Sequence, residues 1–134
     1  MDLVKDLMTP GPLTVAPTAS VDAAAKLMEQ RRIRHVPVAD DDGRLMGLVS
    51  QRDLLRVAWQ LSTDDDPRSW REAPISDVMR TELDTAQPSD TAVSAARRIL
   101  SSKRSCLPVV DSAGFLVGIL TEADFVRRVV RSGS

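Results

Sequence analysis

Apolar positions follow two rhythms along this chain, and the whole series is written twice. Val21, Ala24, Ala25 and Met28 fall at i, i+3, i+4 and i+7, the spacing that lines one face of a helix. Lys26, Glu29, Arg31 and Arg32 take the other face. Two short β-rich runs follow, Val36-Pro37-Val38-Ala39 and Leu45–Val49, and then a second amphipathic stretch over Arg52–Leu61. Ala92, Ala95, Ala96 and Ile99 repeat the helical spacing. Leu107-Pro108-Val109-Val110 and Leu116–Leu120 repeat the strands, and Glu122–Val130 repeats the second helix.

The two series keep one offset of 71 residues. Val4–Ala58 superposes on Ile75–Val129 without a gap, and 14 of those 55 pairs are identical, among them Asp6/Asp77, Met8/Met79, Thr14/Thr85, Pro37/Pro108 and Asp53/Asp124. A constant offset of that length marks a duplicated structural unit. The predicted order within each unit is β-α-β-β-α. Val4–Met8 and Ile75–Met79 are lead-in turns, the first ended by Pro10. Leu13-Thr14-Val15 and Thr85-Ala86 are first strands, and Ser20 and Thr91 are N-caps. Pro37 and Pro108 lack an amide donor, which places them at a strand start or on a sheet edge. Asp40–Gly43 and Asp111–Gly114 are hairpin turns. Residues 1–61 form unit one, the polar stretch 62–73 a linker, and 74–134 unit two. The fold class is α/β (α+β), two tandem units related by pseudo-two-fold symmetry.

Composition narrows the function. Apolar residues make up 43% and charged residues 28%, as in a soluble globular protein, while aromatics are only 3% and require an aliphatic core. A formal net charge of −1 gives no pull toward nucleic acid, and no apolar run reaches membrane-spanning length. The single Cys106 can form no intrachain disulfide and is read as a buried thiol. The N-terminal residues lack a signal-peptide core, so a cytoplasmic protein is expected. No nucleophile–base pair, metal-ligand set or phosphate loop is evident, which argues against an enzyme. Asp64-Asp65-Asp66 is read as solvated linker, and the arginine pairs at 31–32, 97–98 and 127–128 as solvated helix faces.

Ser50-Gln51-Arg52-Asp53 and Thr121-Glu122-Ala123-Asp124 stand where a strand enters a helix. The bland reading is a capping box, with the carboxylate reaching back to the helix start. The sharper one is recognition of a ribose, whose two hydroxyls a carboxylate can accept. Both readings are open, and one side chain could serve both.

Tandem units carrying apolar-Pro-Val, Asp, Gly, apolar-Gly-apolar and Ser/Thr-x-x-Asp, each led by D-x-M, resemble a pair of CBS domains, a Bateman module, over about residues 3–130. The chain is similar to the stand-alone bacterial members. The resemblance implies a non-catalytic regulatory module that senses an adenosyl ligand (AMP, ADP or ATP, with S-adenosylmethionine or NAD(H) as further candidates) and needs no cofactor or metal. It implies a homodimer and a protein partner not identifiable from sequence, with no nucleic acid and no membrane. It further implies that the Ser/Thr-x-x-Asp of one unit joins loop residues of the other. One cleft would then combine Thr121 and Asp124 with Thr14, Arg34 and His35. The second would combine Ser50 and Asp53 with Thr85, Ser105 and Cys106, with Arg52 nearby. Val15, Val36, Ala86 and Leu107 would wall the base, with Pro37 and Pro108 also among the ligand-binding residues. Arg34 and His35 favour a phosphorylated ligand in the first cleft, leaving the second weaker or empty. The rival reading is a dimerisation or docking module whose clefts hold nothing.

Overall fold

The computed structural model describes residues 2–61, 69–101 and 106–132. Its elements run α1 (Val4–Leu7), β1 (Thr9–Pro10), α2 (Val21–Arg31), β2 (His35–Ala39), β3 (Leu45–Ser50), α3 (Gln51–Leu61), α4 (Ser69–Glu72), a 3-10 turn (Ile75–Asp77), α5 (Ala92–Ser101), β4 (Cys106–Val110), β5 (Leu116–Thr121) and α6 (Glu122–Ser132). The mixed α/β class and the twice-written order of helix, hairpin and helix are those expected from the sequence. The first strands are the exception. Each shrinks to a single parallel bridge, Val15 to Val38 and Ala86 to Val109. Val15 donates to the Pro37 carbonyl at 3.1 Å and Ala86 to the Pro108 carbonyl at 2.9 Å. Prolines at 12 and 17 flank Leu13–Val15 and leave little room for a longer ladder. Pro37 and Pro108 offer the carbonyls they still possess, from the edge strands β2 and β4.

Helix α2 starts where Ser20 Oγ accepts from the Ala23 amide at 3.0 Å, and α5 where Thr91 Oγ1 accepts from Ser94 at 3.1 Å. The hairpins turn alike as well. Asp40 Oδ1 accepts from the amides of Asp42 and Arg44, Asp111 Oδ1 from those of Ala113 and Phe115, and Gly43 and Gly114 take φ of 92° and 89°. That left-handed geometry suits glycine. Both hairpins carry a register shift at the same repeat position, between Val38 and Ala39 and between Val109 and Val110.

Compact units and sequence repeats are out of step by one element. One unit is Leu13–Leu83, and the other joins Met1–Pro12 to Asp84–Ser134. Each lead-in has therefore been exchanged, and its hydrogen bonds keep the 71-residue offset. Val4 donates to the Asp90 carbonyl (2.8 Å) and Ile75 to that of Ala19 (2.7 Å); Lys5 donates to Pro88 and Ser76 to Pro17, both at 3.0 Å. Beyond these turns β1 pairs with β5 inside one unit, and Arg80 bridges Leu48 inside Leu13–Leu83. Of the stretch expected as linker, 62–68 lies outside the described residues, together with Asp64–Asp66, whereas 69–72 forms α4 and Trp70 and Ala73 pack against a core.

Each unit closes around its own aliphatic core. In Leu13–Leu83 it is Val21, Ala24, Met28, Val36, Val38, Val49, Leu54 and Ile75; in the other unit it is Val4, Ala86, Ala95, Ile99, Leu107, Val109 and Leu120. Full burial of one such Val, Leu or Ile side chain stabilises by about 1.5–3 kcal/mol. The units are not copies in every detail. Leu27 packs on the first core, while its equivalent Arg98 bonds to Asp84, the equivalent of Leu13, and to the Thr85 carbonyl. Arg98 is thus tied into the structure rather than solvated. Arg128 likewise pairs with Asp2 through two bonds of 2.9 and 3.0 Å.

Candidate functional site: two buried carboxylates at strand-to-helix junctions

Asp53 and Asp124 are the buried charged side chains among the described residues, each 3% exposed. Each lies in the first turn of the helix that leaves a hairpin, so chain direction alone puts a carboxylate against free backbone amides. Asp53 Oδ2 accepts from the Ser50 amide and the Ser50 hydroxyl, both at 2.9 Å, while Ser50 Oγ accepts from the Asp53 amide at 3.1 Å. That is a reciprocal capping box. Asp124 Oδ2 accepts from the Thr121 amide at 2.7 Å and its hydroxyl at 3.3 Å. The capping reading is therefore correct for both motifs.

Capping occupies only one carboxylate oxygen. Oδ1 of Asp53 accepts from Arg80 Nε at 3.0 Å and Arg56 Nη1 at 3.5 Å. Oδ1 of Asp124 accepts from Arg127 and, at 3.3 Å, from the Thr9 hydroxyl. These arginine side chains are about half exposed, so the partners of Oδ1, unlike those of Oδ2, reach solvent. Burial by itself would raise the Asp53 carboxyl; the hydrogen bonds from Ser50 and the guanidinium of Arg80 outweigh it and hold the group below its ordinary value.

Within each unit the hairpin sets beside its own junction a residue expected in the other carboxylate's cleft, His35 beside Ser50 and Cys106 beside Thr121. His35 stands opposite Ser50 across β2 and β3, with Val36 opposite Val49 and Pro37 opposite Leu48. Burial pushes the His35 imidazole below its ordinary value, the Asp53 carboxylate works against that and Arg34 works with it. The shift favours the neutral ring, which can donate from one nitrogen only. Arg34, Thr14 and Arg52 are exposed and Val15 is half-buried. Around Asp124, Cys106 stands opposite Thr121 and Leu107 opposite Leu120. Cys106 is buried, as expected of a structural thiol. Val36, Leu107 and Ala86 are at most 1% exposed, and Pro37 and Pro108 are fully buried. Their side chains belong to the cores, so what they present to a ligand is backbone. Thr85 is half-buried, and Ser105 lies outside the described residues.

Thr9, Arg56, Arg80 and Arg127 touch the carboxylates, yet the motif search does not find them. Arg56 and Arg127 are an identical pair three residues after the aspartates, a signal that was available. Thr9 and Arg80 directly follow the shared D-x-M, but only the exchange of lead-ins brings them to the carboxylates. Among the described residues no cluster of His, Cys, Asp and Glu is placed to hold a metal, and no helix is long and apolar enough to cross a membrane.

Known proteins share this architecture. The CBS domain model matches residues 4–59 and 75–131. CBS domain-containing protein YhcV of Bacillus subtilis is 34% identical over 92% of this chain and 83% of its own length. A homoserine O-acetyltransferase of Methanococcoides burtonii is 31% identical over 94% of this chain, which spans only 24% of that enzyme. Among solved structures, CBSX2 in complex with AMP superposes at a TM-score of 0.87 with 32% identity, covering 100% of both chains. The CBS domain pair of protein MJ0100, in complex with 5′-methylthioadenosine and S-adenosyl-L-methionine, gives a TM-score of 0.84 with 26% identity over 98% of each chain. With both repeats matched and a relative aligned over most of its length, this chain belongs to the CBS domain family as a tandem CBS pair.

Proposed function

We propose that this chain is a regulatory module that binds an adenosyl ligand, of the AMP, ADP or ATP kind, and passes on its occupancy without catalysing a reaction. The observation that carries the reading is the buried carboxylate at the same strand-to-helix junction of both repeats, with one oxygen committed to the helix cap and the other bonded to half-exposed arginines. A carboxylate so placed can accept from both hydroxyls of a ribose, and the neighbouring amides favour an anion. The AMP complex of CBSX2 and the methylthioadenosine and S-adenosylmethionine complex of MJ0100 support the ligand class. Calorimetry with AMP, ADP, ATP, NADH and S-adenosylmethionine tests it. Binding should stabilise the fold by about 2.7 kcal/mol at a hundredfold excess over Kd. Neither heat nor a rise in Tm at millimolar ligand would leave the scaffold reading in its place.

The same module is proposed to work as a homodimer. Helix α3 exposes Leu55 (69%) and Trp59 (79%), and α6 exposes Val126 (62%), Val129 (68%) and Val130 (68%). Apolar residues grouped on a helix face in this way mark an association surface. Light scattering at micromolar concentration should give twice the chain mass, and Leu55→Glu combined with Val126→Glu should return it to one. A wild-type monomer would refute the dimer.

A further inference from the structure

Among the described residues the two carboxylates are matched in all but one contact. Oδ2 of each is taken by the Ser or Thr at the helix start, and Oδ1 of each meets the arginine three residues on. The remaining partner of Oδ1 comes from the exchanged lead-in, and there the repeat breaks. It is Arg80 Nε at 3.0 Å for Asp53 and Thr9 Oγ1 at 3.3 Å for Asp124. Positions 9 and 80 are repeat equivalents (80 − 9 = 71).

We infer that Arg80 is a built-in competitor that keeps the sugar diol of an adenosyl ligand off Asp53, leaving Asp124 as the principal ligand-accepting carboxylate of the chain. The inference rests on the ligand class proposed above and adds to it an order of filling and the residue that sets it. A diol brings neutral O–H donors, and these need lone pairs on Oδ1. Guanidinium is always charged and has no acceptor, so beside a carboxylate it can only donate. A threonine hydroxyl is neutral and can turn from donor to acceptor, which lets Thr9 bond to an incoming ligand hydroxyl instead of being expelled.

Anchoring points the same way. The backbone of Arg80 is fixed to Leu48 by two hydrogen bonds of 3.0 Å, N–H to carbonyl in both directions. Arg56 and Arg127 are repeat equivalents that meet both carboxylates alike, so they do not tell the two apart. Displacing Arg80 would also leave a 3%-exposed carboxylate with a neutral partner where it had a cation. Both bonds end on a carboxylate, but Arg80 adds a full positive charge where Thr9 adds a neutral hydroxyl; a difference of about 1.4 kcal/mol, equivalent to the tenfold ratio, makes the Asp53 site the weaker one for a diol.

The test is calorimetry on the full chain with adenosine, which carries the diol without a phosphate, and with AMP. Wild type should bind one ligand per chain in a strong phase and a second about tenfold more weakly. Arg80→Thr, which writes the first repeat's own residue into the second, should raise the weak phase toward the strong one. Thr9→Arg should weaken the strong phase by a similar factor, and Arg80→Lys, which keeps the charge, should preserve the wild-type ratio. With 2′,3′-dideoxyadenosine, wild type and Arg80→Thr should be indistinguishable, a result that a merely structural role for Arg80 would not give. Two equal phases in wild type, or an unchanged ratio in Arg80→Thr with the fold intact by circular dichroism, would overturn this inference alone. Absence of binding by every adenosyl ligand would overturn the proposed function and this inference with it.

Discussion

Asp53→Ala should destabilise the chain by about 2–4 kcal/mol, a sizeable part of the 5–15 kcal/mol that holds a domain of this size together. The side chain accepts from the Ser50 amide, the Ser50 hydroxyl, Arg80 and Arg56, and alanine removes every one of these bonds. Loss of a helix cap alone costs about 1 kcal/mol. A half-buried Ser50 amide left unsatisfied adds about 1–3 kcal/mol. The Arg80 pair contributes at the low end of its range because the guanidinium is half exposed. Thermal unfolding should shift down by roughly 10 °C. Asp53→Asn retains an acceptor for the cap and should lose less than half as much.

The sign of the pH dependence separates the two variants further. The Asp53 carboxyl titrates lower in the folded chain than its ordinary value of 3.8. Between those two values the unfolded chain binds more protons. The stability Asp53 contributes is therefore complete above pH 3.8 and is lost as pH falls through the folded value. Wild-type Tm should drop over that acid window, and Asp53→Asn should flatten the drop. An Asp53→Ala variant melting within 1–2 °C of wild type, a shift worth well under 1 kcal/mol, would show that the buried carboxylate is not holding the junction together.

How far the sequence led depended on whether a contact is local. Helix α2, both hairpins and the junctions were legible because their signals sit within a few residues: Ser20 and Ala23, Asp40 and Arg44, Ser50 and Asp53. The first strands were over-read because Leu13-Thr14-Val15 has strand composition and only the fold shows that a single residue of it finds a partner. The exchange of lead-ins was not legible. Val4–Leu7 opens its own repeat in sequence, and no local signal says that its amides bond to Pro88 and Asp90. Once that exchange is known, Thr9 and Arg80 become neighbours of the carboxylates, and a Thr/Arg mismatch in an otherwise close repeat gains a chemical meaning. Leu13 and Leu27, replaced at the equivalent positions by Asp84 and Arg98, carry a similar lesson: a paired change across a duplication marks residues that meet.

Gly47→Val should cost about 1–3 kcal/mol or more, because the exchanged lead-in packs where a side chain would stand. From sequence, a glycine interrupting an apolar strand signals either a bulge or a close backbone approach. At Gly47 it is close approach. A Cβ there would lie 2.6 Å from Met79 Sδ, 2.9 Å from Met79 Cγ and 2.9 Å from the Arg80 carbonyl oxygen. Methionine can move aside; the carbonyl cannot, since it accepts from the Leu48 amide at 3.0 Å. At the equivalent Gly118 the nearest atom is again a methionine sulfur, Met8 Sδ at 2.5 Å, but the carbonyl of Thr9 stands back at 3.1 Å. Ala substitutions should grade accordingly, Gly47→Ala costing more than Gly118→Ala. Shortening the methionine should rescue Gly118→Ala more fully than Gly47→Ala, a difference that double-mutant cycles by urea denaturation can resolve. Equal rescue at both sites would mean that the side chains, not the lead-in backbone, set the clearance. Because Arg80 follows Met79 directly, pushing this lead-in away also draws the guanidinium from Asp53. Gly47→Ala should therefore loosen the contact proposed to distinguish the two carboxylates, and Gly118→Ala should leave it in place.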